Sequence, residues 1–102
     1  MALHDVGAVT ELDKGPIVVA IGYVDIIIWR VGAAVHATDR WCPHARGDLS
    51  CVAPDGGQVV CADHGWSFDI ASGTCLKKPG RYTLPTYPCH VRGGRIEVEL
   101  PE

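Results

Sequence analysis

The sequence predicts an all-β fold, and three observations support this prediction. Glycine (12 residues) and proline (7 residues) interrupt the 102-residue chain at short intervals. No stretch sustains the apolar period of 3.6 residues that marks a long helix. Between the turn signals lie short runs rich in valine and isoleucine, which favour strands. These features indicate short antiparallel strands joined by tight turns.

The first half of the chain contains three strand-length runs. GPIVVAIG (15–22) is a β-branched apolar run bounded by glycines, and VDIIIWRV (24–31) follows it directly. AVHAT (34–38) comes after Gly32 and Ala33. Three runs separated by tight turns predict an antiparallel meander. The IIIW stretch is almost continuously apolar, which indicates burial on both faces. Periodicity alone does not exclude a helix, but the valine and isoleucine content favours a strand.

The C-terminal part predicts a hairpin. YPCHV (87–91) and RIEVEL (95–100) flank the turn Arg92–Gly94. RIEVEL alternates apolar and charged residues, as expected for a strand with one face in water. The meander and this hairpin together predict an antiparallel β base.

A segment of different composition separates these two β regions. Residues 40–80 contain four of the five cysteines and two of the five histidines, with many turn residues. Within it, QVVCADHGWSFDIASGTCL predicts two short strands around the turn Ala71–Thr74. We therefore expect one domain, residues 1–102, in which a small subdomain of about residues 40–80 is inserted into the β base.

Composition limits the partners and the compartment. A formal charge of −3 and a pI near 5.9 argue against nucleic acid or an anionic membrane as a partner. The start, MALHDVGAVTELDKG, lacks the basic and apolar regions of a signal peptide, and no apolar run is long enough to span a membrane. These features predict a cytoplasmic protein. In a reducing compartment, five cysteines favour metal or redox roles over disulfides.

Two short motifs offer ligands for a metal. Cys42-Pro-His44 and Cys61-Ala-Asp-His64 each supply one thiolate and one imidazole. Thiolates suit zinc, copper(I) and iron–sulfur clusters, and imidazole suits iron and zinc. Structural zinc sites usually begin with two cysteines two to four residues apart, so this pattern is unusual for zinc, although a zinc-binding interaction module stays open. A nucleophilic Cys–His pair would need an orienting residue and an oxyanion hole that the motifs do not supply.

The pattern resembles the Rieske [2Fe–2S] family, in which two histidines replace two cysteines on one iron. The resemblance spans about residues 15–100 and rests on the four ligand residues in their order. It also includes residues that follow the two motifs: Gly47, Leu49, Gly65, Trp66, Phe68 and Asp69. The resemblance implies an all-β Rieske fold, with an antiparallel β-sandwich base and a small inserted cluster-binding subdomain, and a bound [2Fe–2S] cluster.

The resemblance also implies ligand roles and a function. Cys42 and Cys61 would bind the inner iron, and His44 and His64 the outer, more exposed iron. The implied function is that of the ferredoxin component of bacterial aromatic-ring-hydroxylating dioxygenase systems. Such a protein carries single electrons from a flavoprotein reductase to a terminal oxygenase, with transient docking near the histidines. The small subunit of an assimilatory nitrite reductase is the second reading. The chain has no room for a flavin or mononuclear iron site, so we expect an electron carrier rather than an enzyme.

At several positions this sequence differs from the high-potential members of the family, and these differences affect the expected reduction potential. Gly47 and Asp63 occupy the positions of two cross-linking cysteines, and Trp66 and Phe68 replace hydroxyl residues that donate hydrogen bonds to the cluster. Fewer hydrogen bonds and an adjacent carboxylate disfavour the reduced state. We therefore expect a low-potential cluster. Arg46 and Asp63 flank the ligands, either as solvated charges or as docking residues.

The remaining cysteines and histidines have structural interpretations. Three further cysteines are either additional ligands or small buried residues, and burial is the expectation: Cys51, Cys75 and Cys89. His4 is expected on a mobile terminus, and His36 and His90 within strands. Trp66, Phe68 and Ile70 alternate, which predicts that they line one face and pack over the base.

Overall fold

The structure, a computed structural model, describes residues 2–43, 46–61, 65–77 and 79–100. The predicted ligands His44 and His64, as well as Asp63, lie outside these described residues. The strands are β1 (Ala2–Ala8), β2 (Ile17–Ile21), β3 (Val24–Val31), β4 (Ala34–Asp39), β5 (Gln58–Val60), β6 (Ser67–Asp69), β7 (Thr86–Tyr87), β8 (Cys89–Arg92) and β9 (Arg95–Leu100). Two short 3-10 helices cover Val9–Lys14 and Leu49–Cys51.

Two antiparallel sheets form the base, as predicted. One has the strand order β1-β9-β8 and the other β2-β3-β4-β7. The predicted meander is present as β2, β3 and β4, with Ile17 opposite Ile28 and Ile26 opposite Asp39. Gly22 and Gly32 each begin a two-residue turn of this meander with φ 60°. A positive φ at this position suits glycine and matches the twist of the paired strands.

Strand β3 is buried on both faces, which confirms the prediction from its IIIW sequence. Ile26 and Ile28 face the core of the base, where they pack with Ile96 and Val98 of β9. Ile27 and Trp29 point the other way, into a second core that the inserted segment forms. The period of two along a strand separates the two sets, and both find apolar partners. A single strand therefore joins the base to the inserted segment.

The predicted strand 87–91 proves to be two strands in different sheets. Thr86 and Tyr87 pair with β4, whereas Cys89–Arg92 pair with β9. Pro88 lies between them and has no N–H to donate, but its carbonyl accepts a hydrogen bond from Glu99 N at 2.9 Å. The prediction of one continuous strand was wrong because a proline allows the chain to pass from one sheet to the other.

The prediction of a mobile N-terminus at His4 was also wrong. His4 lies in β1, opposite Val98 of β9. Asp5 anchors the strand further, because its carboxylate accepts two hydrogen bonds from Arg95 at 3.0 and 2.8 Å. This pairing spans almost the whole sequence, so local patterning could not indicate it.

The inserted segment contains the predicted short strands and turn. β5 and β6 pair, with Val59 opposite Phe68. The turn Ala71–Thr74 follows, closed by a hydrogen bond from Gly73 N to Asp69 O at 2.7 Å. Beyond it, Cys75 forms a bridge with Phe68 rather than a full strand. No helix among the described residues is long and apolar enough to cross a membrane.

The three remaining cysteines differ in burial. Cys75 is fully buried, as predicted. Cys51 is exposed, so the prediction of burial was wrong. It ends the 3-10 helix Leu49–Cys51, and Leu49 takes the buried position of that helix. Cys89 is half-buried, and burial raises the pKa of its thiol to about 11.

Candidate metal centre

Two loops carry the predicted ligands. Loop 1, residues 42–47, follows β4 and Trp41, and loop 2, residues 61–66, connects β5 to β6. Cys42 begins loop 1 and Cys61 begins loop 2. Both cysteines are almost fully buried, with exposed fractions of 0% and 1%.

The two loops share the same backbone hydrogen bonds. In loop 1, Cys42 N donates to Gly47 O at 2.8 Å and Arg46 N donates to Cys42 O at 2.6 Å. In loop 2, Cys61 N donates to Trp66 O at 2.7 Å and Gly65 N donates to Cys61 O at 2.9 Å. Each cysteine thus holds the far end of its own loop through both its amide and its carbonyl. The structure places the two sulfur-bearing residues at equivalent positions of equivalent loops.

The base of loop 1 is fixed by a charged pair. The Arg40 guanidinium donates to both carboxylate oxygens of Asp48, at 3.0 and 2.9 Å. Asp48 also accepts from Ser50 N at 2.9 Å and so caps the following 3-10 helix. The hydrogen bonds from Arg40 and Ser50 hold the pKa of Asp48 far below its usual range. This carboxylate is therefore ionised and continuously available to hold the ends of loop 1 together.

Trp41 connects loop 1 to the base. Its indole Nε1 donates to Asp25 Oδ2 at 3.2 Å, and Arg40 N donates to Asp25 O at 3.0 Å. Asp25 lies at the start of β3, so the strand that joins the two cores also holds the start of the loop. Nearby, burial raises the pKa of Asp39, against the opposing effects of the Arg40 amide and the Arg46 charge.

Aromatic residues support loop 2 from behind. Trp66 and Phe68 are buried in the second core together with Ile70, which confirms the prediction that these three residues line one face. The rings of Trp66 and Tyr82 meet edge to face, with centroids 4.9 Å apart and an interplanar angle of 71°. These rings exclude water from the interior side of loop 2.

The described residues fit half of a mixed-ligand metal site. Cys42 and Cys61 join one apolar cluster, in which a soft metal or cluster iron would find two sulfur ligands. The two predicted imidazole ligands lie outside the described residues, so the structure does not place them. Among the described residues, accordingly, no group of three metal-binding side chains assembles. The donor set fits an iron–sulfur cluster on its sulfur side.

Sequence reasoning missed the residues that support the loops. The Arg40–Asp48 pair spans eight positions and has no motif of its own. Tyr82 reaches Trp66 from beyond the turn, and the only signal for it was its place in a proline-containing stretch. Asp48 carried a weak signal, since aspartate is a favoured residue at the N-cap of a helix.

Comparison with known proteins finds relatives of this sequence. The sequence model of one family, described as "Rieske [2Fe-2S] domain", matches residues 2–88. The 3-phenylpropionate/cinnamic acid dioxygenase ferredoxin subunit of Escherichia coli (strain K12) is 32% identical over 97 residues, covering 94% of this chain and 84% of that protein. The ferredoxin component of the naphthalene 1,2-dioxygenase system of Pseudomonas aeruginosa is 27% identical over 97 residues, covering 94% and 93%.

Solved structures show the same architecture. A chain in the complex of reduced oxygenase and oxidised ferredoxin of carbazole 1,9a-dioxygenase superposes with a TM-score of 0.84 and 26% identity, covering 94% of this chain and 91% of that chain. The predicted resemblance, the all-β fold class and the [2Fe–2S] cofactor are thereby confirmed.

Proposed function

Because the chain belongs to the Rieske [2Fe–2S] domain family, we propose that it is an electron carrier between a flavoprotein reductase and a terminal ring-hydroxylating oxygenase. The observation that carries the proposal is the pair of equivalent loops, each with a buried cysteine at its start. The relatives named above are ferredoxin components of dioxygenase systems, which supports the same role. None of the named relatives is a nitrite reductase subunit, so that second reading is not favoured.

The proposed ligand set is Cys42, His44, Cys61 and His64. A bound [2Fe–2S] cluster supplies a site that takes up and releases one electron at a time. The two cysteines provide thiolates on the buried side. The two histidines belong to the same loops and would provide neutral imidazoles on the outer side. Two thiolates instead of four leave less negative charge at the site, which favours acceptance of an electron.

The other residues of the site hold this arrangement rather than react. Arg40 and Asp48 close the base of loop 1, and Asp25 holds Trp41. Trp66 and Phe68 are buried behind loop 2 and provide an apolar surrounding. Phe68 has no hydroxyl and Trp66 offers only an indole N–H, which supports the expectation of a low reduction potential. A rigid support of this kind keeps structural change on electron transfer small.

The domain boundaries, the docking face and the compartment are part of the proposal. A single domain, residues 1–102, is supported by β3, which contributes side chains to both cores. A cluster-binding subdomain of about residues 40–80 is supported by the core that the inserted segment forms. Reductase and oxygenase would dock transiently at the face that bears the histidines, and a weak, reversible interface suffices for this. The exposed free thiol of Cys51 suits a reducing cytoplasm.

The experiment has a spectroscopic part and a functional part. Purified protein is expected to show the visible charge-transfer bands of a Rieske cluster and, on reduction, its paramagnetic signal. His44→Ala and His64→Cys should lose or convert these signals, whereas Cys75→Ser should keep them. A colourless, zinc-loaded protein contradicts the cluster, and loss of the signal in Cys75→Ser contradicts the ligand set.

The functional part tests the role as a carrier. NADH-dependent reduction by a flavoprotein reductase, followed by reoxidation with a ring-hydroxylating oxygenase and its aromatic substrate, is the expected behaviour of the free protein. A protein that is isolated only in a permanent complex with a nitrite-reducing subunit contradicts this role.

A further inference from the structure

The two cluster loops differ at one structurally equivalent position. The residue four positions after each cysteine has a left-handed backbone, with φ 56° at Arg46 and φ 67° at Gly65. Glycine adopts this conformation without strain, whereas a residue with a Cβ does not. Arg46 is the only non-glycine residue with positive φ among the described residues. Strain of this kind at a binding loop points to a use for the side chain.

The Arg46 side chain lies against a fixed aromatic ring. Its guanidinium carbon is 5.9 Å from the centroid of Trp41, a distance that permits a cation–π contact. The hydrogen bond from Trp41 Nε1 to Asp25 holds that ring against the base. The Arg46 charge is therefore kept beside loop 1, although the residue itself is exposed.

The charge of Arg46 is less compensated than that of its neighbour. Arg40 also lies over Trp41, at 4.9 Å, but both hydrogen bonds of its guanidinium go to the Asp48 carboxylate. Among the described residues, the ion pairs involve Arg30, Arg40, His90 and Arg95 but not Arg46. Burial raises the pKa of Asp39 and the Arg46 charge opposes this rise from a distance, but the two residues form no ion pair among the described residues. A cation therefore remains next to the loop that supplies one sulfur ligand.

Reduction adds one negative charge to the site. Two thiolates and two neutral imidazoles leave an oxidised [2Fe–2S] site neutral, so the electron is not balanced by the ligands. We propose that Arg46 raises the reduction potential of the bound cluster, because its guanidinium beside loop 1 stabilises the charge that reduction adds. This inference rests on the proposed function. Loop 1 thus carries a positive charge at this position, whereas loop 2 has the uncharged Gly65 at the equivalent position.

The test compares reduction potentials of four cluster-loaded variants with that of the wild type. Arg46→Gln and Arg46→Gly remove the charge, and Arg46→Lys retains it. Arg92→Gln is the control, because Arg92 is exposed and lies at the opposite end of the base from loop 1. It adjoins the turn whose Gly94 carbonyl accepts from Val9 N. Val9 O in turn accepts from Arg30, at the end of β3 that is far from loop 1. Arg46→Gly also relieves the backbone strain, so a fold as stable as the wild type is expected for that variant.

At low ionic strength, we expect Arg46→Gln and Arg46→Gly to show a more negative potential, with Arg46→Lys and Arg92→Gln close to the wild type. The difference should shrink in high salt because the charge is exposed. An unchanged potential in Arg46→Gln, or an Arg46→Lys variant as low as Arg46→Gln, overturns the inference. A wild-type protein without a Rieske signal overturns the proposed function, and the inference with it.

Discussion

The base and the inserted segment use opposite faces of one strand but are held together in different ways. On the base side, Ile26 and Ile28 of β3 pack against a sheet that pairs over whole strands, such as β1 with β9. On the other side, Ile27 and Trp29 pack against a segment whose two short strands form three residue pairs. The base is a sandwich with its own core, and the segment depends on buried aromatics and loop hydrogen bonds. This difference predicts that the two regions respond unequally to the same perturbation.

The largest expected effect is that of removing the cluster. Metal binding is coupled to the folding of the loops that bind it, so the segment should open while the base remains folded. Amide hydrogen exchange of cluster-free protein should show lost protection in residues 46–61 and 65–77 and retained protection in β3 and β9. Equal loss of protection in both regions would contradict the expectation that the base folds without the cluster.

A single glycine in the segment should be the next most sensitive position. Gly73 has φ 78°, and a Cβ there would overlap the backbone carbonyl of Leu84. Strain and overlap together predict that Gly73→Ala destabilises the fold by about 2–5 kcal/mol. Gly93→Ala is the matched control, since its φ is 58° but no atom lies within 4 Å.

The control should cost only about 1–2 kcal/mol, the penalty of a left-handed residue with a Cβ. Chemical denaturation of the two variants measures the difference. If Gly93→Ala costs as much as Gly73→Ala, the close approach of Leu84 is not the cause.

A third test concerns the hydrogen bond at the boundary of the two regions. Trp29 Nε1 donates to Thr38 Oγ1 at 2.9 Å, and both residues are fully buried. Thr38→Val keeps the shape but leaves the indole N–H without its acceptor, which should cost about 1–3 kcal/mol. Thr86→Val, at an exposed position of the neighbouring strand, should change the free energy of unfolding by less than about 0.5 kcal/mol. Denaturant unfolding of both variants distinguishes the two cases, and equal costs would show that the hydrogen bond contributes nothing.

The smallest expected effect is the pH dependence of the Arg40–Asp48 pair. The pKa of Asp48 is lowered in the folded state, so its stabilisation is present above its unfolded value, near pH 4, and is lost as the pH falls towards the folded value. The melting temperature of the wild type should exceed that of Asp48→Asn at pH 7, and this gap should narrow below about pH 4. Asp55→Asn, exposed in the same segment, is the control and should show no such gap. A gap that stays constant from pH 7 to pH 3 would exclude the charged pair as its cause.

Local sequence patterns predicted some features of the two regions and missed others. The continuous apolar run Ile26–Trp29 predicted a strand buried on both faces, because successive side chains of a strand point to opposite faces and all four of these are apolar. The ligand motifs predicted the family that the sequence model matches, because their mixed thiolate and imidazole pairs are unusual for structural zinc sites and resemble the Rieske pattern. Both patterns consist of residues that are close together along the chain, so they can be identified in the sequence without knowledge of the fold.

The errors arose where pairing is remote or where the chain changes sheet. Nothing near His4 indicates that its strand pairs with residues more than ninety positions away. Pro88 could have ended a strand or divided one between two sheets, and only the packing of β4 and β9 on its two sides decided this. Cys51 was predicted to be buried, but in the 3-10 helix Leu49–Cys51 the side chain of Leu49 occupies the buried position and Cys51 is exposed.

The sequence by itself predicted the all-β class, the meander of the central strands and, through the proposed ligand motifs, the [2Fe–2S] cofactor. Those properties follow from local periodicity and from the identities of residues that lie close together along the chain. The tertiary structure decided that the two cysteine loops share one hydrogen-bonding plan, that Arg40 and Asp48 close one of them, and that Arg46 occupies a left-handed position beside Trp41. Backbone conformation and contacts between distant residues depend on how the whole chain packs, so no short stretch of sequence could have specified them.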